Sequence, residues 1–188
     1  MCDIDRYLGH LNTTREDLRG KYILDVGAGY GRFAEECARE GLAKVVSVDN
    51  DLQLGLSWRV RIAALMDQEC SRRAIPDMLY ARSEYLPFQD EAFDLVIAHF
   101  SVPIQCRSCA DTFCAVAEMC RVAKRGGELR IVPIAKPGEH DFNTWMEEEL
   151  FLLSQDPRYR VDAQTSVAES PAFPGRCYRN KLWVIQKL

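Results

Sequence analysis

The order of elements along this chain predicts an α/β fold, a three-layer Rossmann-like sandwich built on a mostly parallel sheet of seven strands. Three observations predict it. Short apolar runs of strand length alternate with longer stretches of helical spacing. The first run, Ile23-Leu24-Asp25-Val26, ends in a turn carrying Gly27, Gly29 and Gly31, and a helical stretch follows at once. The second run, Lys44-Val45-Val46-Ser47-Val48, ends on Asp49, at the edge where open α/β sheets hold their ligands.

Residues 3–19 form a helical lead-in with Ile4, Tyr7, Leu8 and Leu11 near helical spacing, broken at Gly20. The first strand spans 21–26 and is apolar at its centre, as a strand buried on both faces requires. The spacing then predicts a helix over 31–40, with Phe33 and Cys37 four apart and Gly41 as its C-terminal stop. A strand over 44–48 precedes a helix over 51–67 that aligns Leu54, Trp58, Ile62 and Leu65. Pro76 ends a polar linker; strands follow at 77–81 and at Phe93–Ala98, the second after the turn Gln89-Asp90-Glu91. A helix over 109–124 is expected to stop at Gly126-Gly127, ahead of a fifth strand over 128–134. The stretch 142–154 reads as a helix with Trp145, Met146, Leu150 and Leu153 inward and Glu147, Glu148 and Glu149 mostly solvated. Strands near 159–164 and 182–187 close the chain around a loop holding Pro171, Pro174 and Gly175.

At 188 residues, 47% hydrophobic and 28% charged, the chain has the makings of one soluble domain, residues 1–188. Net charge is −4, which disfavours a nucleic-acid partner. No apolar run reaches the ~20 residues of a membrane span, and Met1-Cys2-Asp3-Ile4-Asp5 does not read as a leader, so a cytoplasmic location is expected. The eight cysteines are expected as free thiols. Cys106 and Cys109 have the spacing of half a zinc site, but Cys114 and Cys120, six apart on a helix, cannot complete it, so no metal is expected. Cys120 instead joins Phe113, Val116 and Ala117 on an apolar stripe. Arg59, Arg61, Arg72 and Arg73, and likewise Arg121, Lys124, Arg125 and Arg130, read as solvated faces, with an acidic acceptor or RNA as the sharper alternative.

The glycine turn decides the cofactor class. Dinucleotide folds use Gly-x-Gly-x-x-Gly to set a pyrophosphate on a helix start. Here the spacing is one residue tighter, and Asp25 adds a negative charge that repels a pyrophosphate and suits a ligand with ammonium and sulfonium groups. Asp49 can take both ribose hydroxyls through its two oxygens.

These residues resemble the class I S-adenosylmethionine-dependent methyltransferases, close to their quinone-biosynthesis and small-molecule branch. The matching pieces, in order, are Leu24–Gly31, Ser47-Val48-Asp49, Leu86-Pro87-Phe88 with Phe93-Asp94-Leu95-Val96, and Arg121–Leu129; the strand Leu182–Ile185 also fits, and the family sets that closing strand antiparallel. The resemblance implies that Asp25 and the backbone of Gly27, Ala28, Gly29 and Gly31 hold the methionine end, that Asp49 takes the ribose, and that Asn50 lies on the adenine. Arg82, Ser83 and Glu84 then flank the adenine edge, and Ala98, His99 and Phe100 line the floor toward the acceptor. Two positions depart from the pattern. Relatives place an acid where Arg82 stands and often an apolar residue where Asn50 stands, so the adenine is held by backbone, sits differently or binds more weakly.

The expected function is methyl transfer from S-adenosylmethionine to a small-molecule acceptor by in-line displacement, with His99 as the candidate base. His10 and His140 are weaker candidates and read as surface residues. Residues 1–20 could form a lid, with Tyr7, Leu8 and Leu11 touching the acceptor, or simply cover the sheet. A protein or RNA acceptor and a non-catalytic cofactor-binding subunit stay open; a nicotinamide dehydrogenase is disfavoured. A homo-oligomer is compatible with the sequence.

Overall fold

The computed structural model describes residues 4–29, 31–50, 78–103, 105–132, 140–169 and 177–188, with backbone only for 140–145, 167–169 and 177–180. The helix expected over 51–67, the arginines of its neighbourhood and the loop with Pro171, Pro174 and Gly175 lie outside these residues, as do the side chains of His140 and Trp145.

The described elements are α1 Ile4–Leu11, α2 Arg15–Leu18, β1 Tyr22–Val26, α3 Arg32–Arg39, β2 Lys44–Asp49, β3 Met78–Tyr80, β4 Phe93–His99, α4 Cys109–Val122, β5 Ala123–Val132, α5 His140–Ser154, β6 Tyr159–Glu169 and β7 Cys177–Lys187. They form one seven-stranded sheet of order β3-β2-β1-β4-β5-β7-β6. β1 pairs in parallel with β2 and β4, and β4 with β5, while β7 runs antiparallel to both β5 and β6. The order reverses between β1 and β4, which opens a crevice beyond their C-terminal ends.

Alternation along the central strands sorts the core into two layers. Ile23, Val45, Leu95 and Ile97 face α1 and α3, packing on Leu8, Leu11, Phe33 and Cys37. Leu24, Val46, Val96 and Ala98 face the other way, toward Val116, Met119 and Cys120 of α4 and Met146 of α5. Trp183, Phe33 and Phe93 are fully buried, each worth about 1.5–3 kcal/mol of transfer free energy.

The pieces of the sequence pattern hold one another. Asp94 accepts from the Tyr22 amide at 2.8 Å and from Lys124 at 2.7 Å, which ties the starts of β1 and β4 to the α4–β5 junction. Arg121 donates to the carbonyls of Leu86 (3.0 Å) and Phe88 (2.8 Å), while Glu118 accepts from the Leu86 amide at 2.9 Å. Arg121, Lys124, Arg125 and Arg130 pair with Glu118, Asp94, Glu91 and Glu128, so this basic group is spent on internal ion pairs.

Three expectations need correction, and the mostly solvated acids of α5 have one exception. The lead-in is two helices, because Thr14 and Asp17 form a capping box that starts α2 afresh. The helix before β5 ends at Ala123; Gly126 and Gly127 lie in β5, where the register with β4 slips between Phe93 and Leu95. A Cβ on Gly127 would sit 3.0 Å from the Asp94 carbonyl oxygen, so the glycine serves strand approach rather than helix termination. Phe113 and Ala117 are exposed, and the inward stripe of α4 is Thr112, Ala115, Val116, Met119 and Cys120. Glu149 is buried at 6% exposure, since three consecutive acids fan through about 200° of a helix and one must meet the core side that Met146 and Leu150 occupy.

Candidate cofactor and acceptor site

The crevice is lined by Val26, Gly27, Val48, Asp49 and Asn50 on one wall and by Arg82, Ser83, Glu84, Ser101 and Arg107 on the other. Its empty volume, open to solvent at the mouth, is about 490 Å³. Gly27 holds φ +71°, and an added Cβ would meet the Ser101 Cβ at 2.3 Å. Ser101 in turn donates to the Val26 carbonyl at 2.5 Å and closes the far side of the turn.

The described amides of this turn are already spent. Gly27 and Ala28 donate to the Val48 carbonyl at 2.8 and 3.0 Å, Gly29 donates to Asp49 Oδ2 at 2.8 Å, and Gly31 donates to the Ala28 carbonyl at 3.0 Å. A diphosphate would find no free N–H at these four positions. What the turn offers is acceptors. Asp25, 1% exposed, lies in β1 beside Ser47 of β2, and its Oδ2 has no hydrogen-bond partner; neither has the Ser47 hydroxyl. Burial, and then the negative charge of Asp49, push the Asp25 pKa up to about 7. The negative charge expected here is thus only partly present until a cation arrives.

Across the crevice Glu84, 9% exposed, accepts from Arg82 at 2.6 Å and from Ser83 at 3.1 Å. Burial pushes its pKa up, but bonds from Arg82, its own backbone and Ser83 outweigh that and hold it below the usual carboxylate range. Arg82, the departure from the family pattern, therefore anchors an acid two residues further on.

Of the remaining expected residues, Asn50 lines the crevice and is exposed. Ala98 is fully buried in the α4-side core, so its side chain does not reach the crevice. Leu8 and Leu11, expected against the acceptor, are core residues at 6% and 0% exposure, because α1 lays that stripe on Ile23, Leu95 and Ile97. Tyr7 and Phe100 do meet His99, with ring centroids 4.2 and 4.1 Å away. His10 is buried rather than on the surface, and its Nδ1 lies 2.8 Å from His99 Nε2. Burial first, and then Arg6, push the His10 pKa down to about 4; burial, His10 and Arg6 push that of His99 to about 3. The one sequence signal for this pair was the helical spacing that sets Arg6 and His10 four apart on one face of α1. Among the described residues no cluster of ligands could hold a metal, and no helix is long and apolar enough to cross a membrane.

A family model described as a methyltransferase domain matches residues 24–131. A demethylmenaquinone methyltransferase of Corynebacterium urealyticum is 33% identical over 160 residues, covering 81% of this chain and 62% of the relative, so the chain spans less than two thirds of that protein's length. Among solved structures, a SAM-dependent methyltransferase from Methanosarcina mazei superposes with TM-score 0.60 at 21% identity, over 90% of this chain and 93% of the other. The [4+2]-cyclase SpnF shares the fold as well, with TM-score 0.57 at 21% identity, over 79% and 54%, so the fold alone does not name a reaction. With more than half its length matched by the domain model, and with this sheet order, the chain belongs to the class I S-adenosylmethionine-dependent methyltransferase family.

Proposed function

We propose that this protein transfers the methyl group of S-adenosylmethionine to a small aromatic acceptor of the kind named by its relative, a demethylmenaquinone. The observation that carries the reading is the unpartnered, buried carboxylate oxygen of Asp25 under a turn whose described amides are already used. That turn is closed to a diphosphate and open to a cation. The residues fit the cofactor: Asp25 would hold the methionine ammonium, Asp49 the ribose, and Glu84 the adenine amino group. Gly27, Ala28, Gly29 and Gly31 would meet the ligand through carbonyl and Cα atoms, with Arg82, Ser83 and Asn50 shaping the surroundings.

When bound, S-adenosylmethionine supplies a methyl already activated by its sulfonium charge, so the protein's work is alignment and exclusion of water. Tyr7, Phe100 and His99 supply an aromatic wall on the acceptor side. His99, bridged to His10 and held neutral, acts there as a hydrogen-bonding group rather than as a strong base. α1 serves as the fixed cover of that wall.

Calorimetry with S-adenosylmethionine and its demethylated product tests the cofactor; absence of heat from either, with folded protein, overturns the reading. Asp49→Ala is expected to weaken binding by about 10- to 100-fold, since a charge-assisted bond is worth about 1.5–3 kcal/mol. Methyl label appearing in reduced demethylmenaquinone supports the acceptor. Label in a macromolecule, or binding with no turnover, replaces it by the protein or RNA reading or by the non-catalytic one.

A further inference from the structure

The geometry points to a second, oppositely charged subsite: Arg6, His10 and His99 form an oxyanion pocket that takes the acceptor as a carboxylate or an ionised aromatic hydroxyl. The purpose assigned to the pocket rests on the methyltransferase reading, but the pocket itself does not.

Arg6 and His10 stand on one face of α1, and His99 ends β4. The imidazoles touch at 2.8 Å, with their rings stacked at 5.0 Å between centroids and walled by Tyr7 and Phe100. Arg6 Nε is fully buried and donates to nothing. A buried donor left unmade is costly, more so when charged, so the site gains by receiving an acceptor. Counting hydrogens gives a second donor. Two neutral imidazoles carry two N–H bonds; one lies in the bridge, and the other leaves from the outer nitrogen of whichever ring accepts.

The electrostatics agree in sign. Arg6 depresses both imidazoles, and no carboxylate is among the groups that shift either of them. Among the described residues the groups facing the pair are Arg6 and Tyr7 from α1 and Phe100 beyond β4, with Phe33 of α3 behind Tyr7. A cation beside two neutral rings, with no carboxylate acting on those rings among the described residues, suits an anion. An imidazole pushed to about 3 also takes protons poorly near neutrality, which fits an acceptor that arrives already ionised.

The test uses the full chain, without cofactor, labelled with 15N-histidine, at a pH where both probes are ionised. Sodium benzoate and 4-nitrophenolate are titrated separately, each against an uncharged counterpart, benzamide and 4-nitroanisole. A saturable shift of the His10 and His99 ring-nitrogen signals with at least one anion, and not with its counterpart, is expected. Response to benzoate alone identifies a carboxylate pocket, and response to 4-nitrophenolate alone an ionised hydroxyl pocket. Arg6→Gln should weaken that anion at least about tenfold, with Arg6→Lys falling between. The proposal is overturned by equal response to charged and uncharged probes, by no saturable shift with either anion, or by an Arg6→Gln protein that binds as the wild type does. Since no cofactor is present, these outcomes stand apart from failure of S-adenosylmethionine to bind.

Discussion

Asp25 and Arg6 each bury a polar atom with no partner, and the two carry opposite charge. Asp25 lies under the glycine turn of β1, and Arg6 lies on α1 beside the end of β4. Around Asp25 the neighbouring charge is negative, from Asp49; around His10 and His99 it is positive, from Arg6. Each region is electrostatically unfavourable by itself, and each is relieved by a ligand of the other sign. The pair teaches how two buried groups of opposite sign, one beyond β1 and one beside the end of β4, can favour ligands of opposite charge. It also fixes opposite pH responses for the two regions.

The largest expected effect is on cofactor affinity. Asp25→Asn keeps the shape, removes the charge, and should lower S-adenosylmethionine affinity by about 100-fold at pH 8, read by calorimetry. The same substitution should raise the melting temperature of the cofactor-free protein at pH 8. The folded-state pKa of Asp25 lies near 7, above its unfolded value of 3.8, so its contribution to stability is full below 3.8 and is lost as pH rises through 7. Affinity of the wild type should therefore rise with pH between about 6 and 8, as the carboxylate ionises. A flat affinity profile with an unchanged Asp25→Asn protein would erase the cation side of the comparison.

The two regions also differ in how far they could be read from sequence. The glycine turn, Asp25 and Asp49 stood out because a left-handed turn demands glycine and a strand ending in an acid is rare in a buried sheet. A mostly parallel sheet followed from the same alternation of strand and helix. Pairwise facts did not. That Gly27, Ala28 and Gly29 spend their amides on Val48 and Asp49 is a matter of register between β1 and β2. That Arg82 anchors Glu84 depends on a short contact within a loop. His10 meets His99 across 89 positions of chain, and no local pattern encodes such a contact. The misreading of Gly126-Gly127 has the same origin, since a glycine pair marks a helix end or a strand bulge equally well, and the neighbour at Asp94 decides.

On the anion side the pH dependence runs the other way. His10 and His99 have folded pKa values of about 4 and about 3, below the usual 6.5, so their contribution is full above 6.5 and is lost as pH falls through 4 to 3. His10→Phe keeps a ring at this position and removes one titrating group. It should flatten the fall in melting temperature between about pH 6 and pH 4, by an amount on the order of 2 kcal/mol. An acid limb identical to that of the wild type would show that His10 is already charged in the folded protein, and the opposition of signs would fail.

The smallest effect comes from Glu149, which separates a lone buried charge from a built site. Glu149 is 6% exposed in α5, and burial alone pushes its pKa to about 7, the value reached by Asp25. Its surroundings differ: it acts on the buried Cys120 of α4, and burial is the one cause that shifts it. Glu149→Gln should raise the melting temperature at pH 8 by an amount on the order of 1 kcal/mol, and change it little at pH 4, where the native group is protonated in the fold. Cofactor affinity should be unaltered at both pH values. If Glu149→Gln weakened S-adenosylmethionine as Asp25→Asn does, a shifted carboxylate anywhere in the sheet would suffice, and the pairing of Asp25 with a cation would lose its claim to specificity.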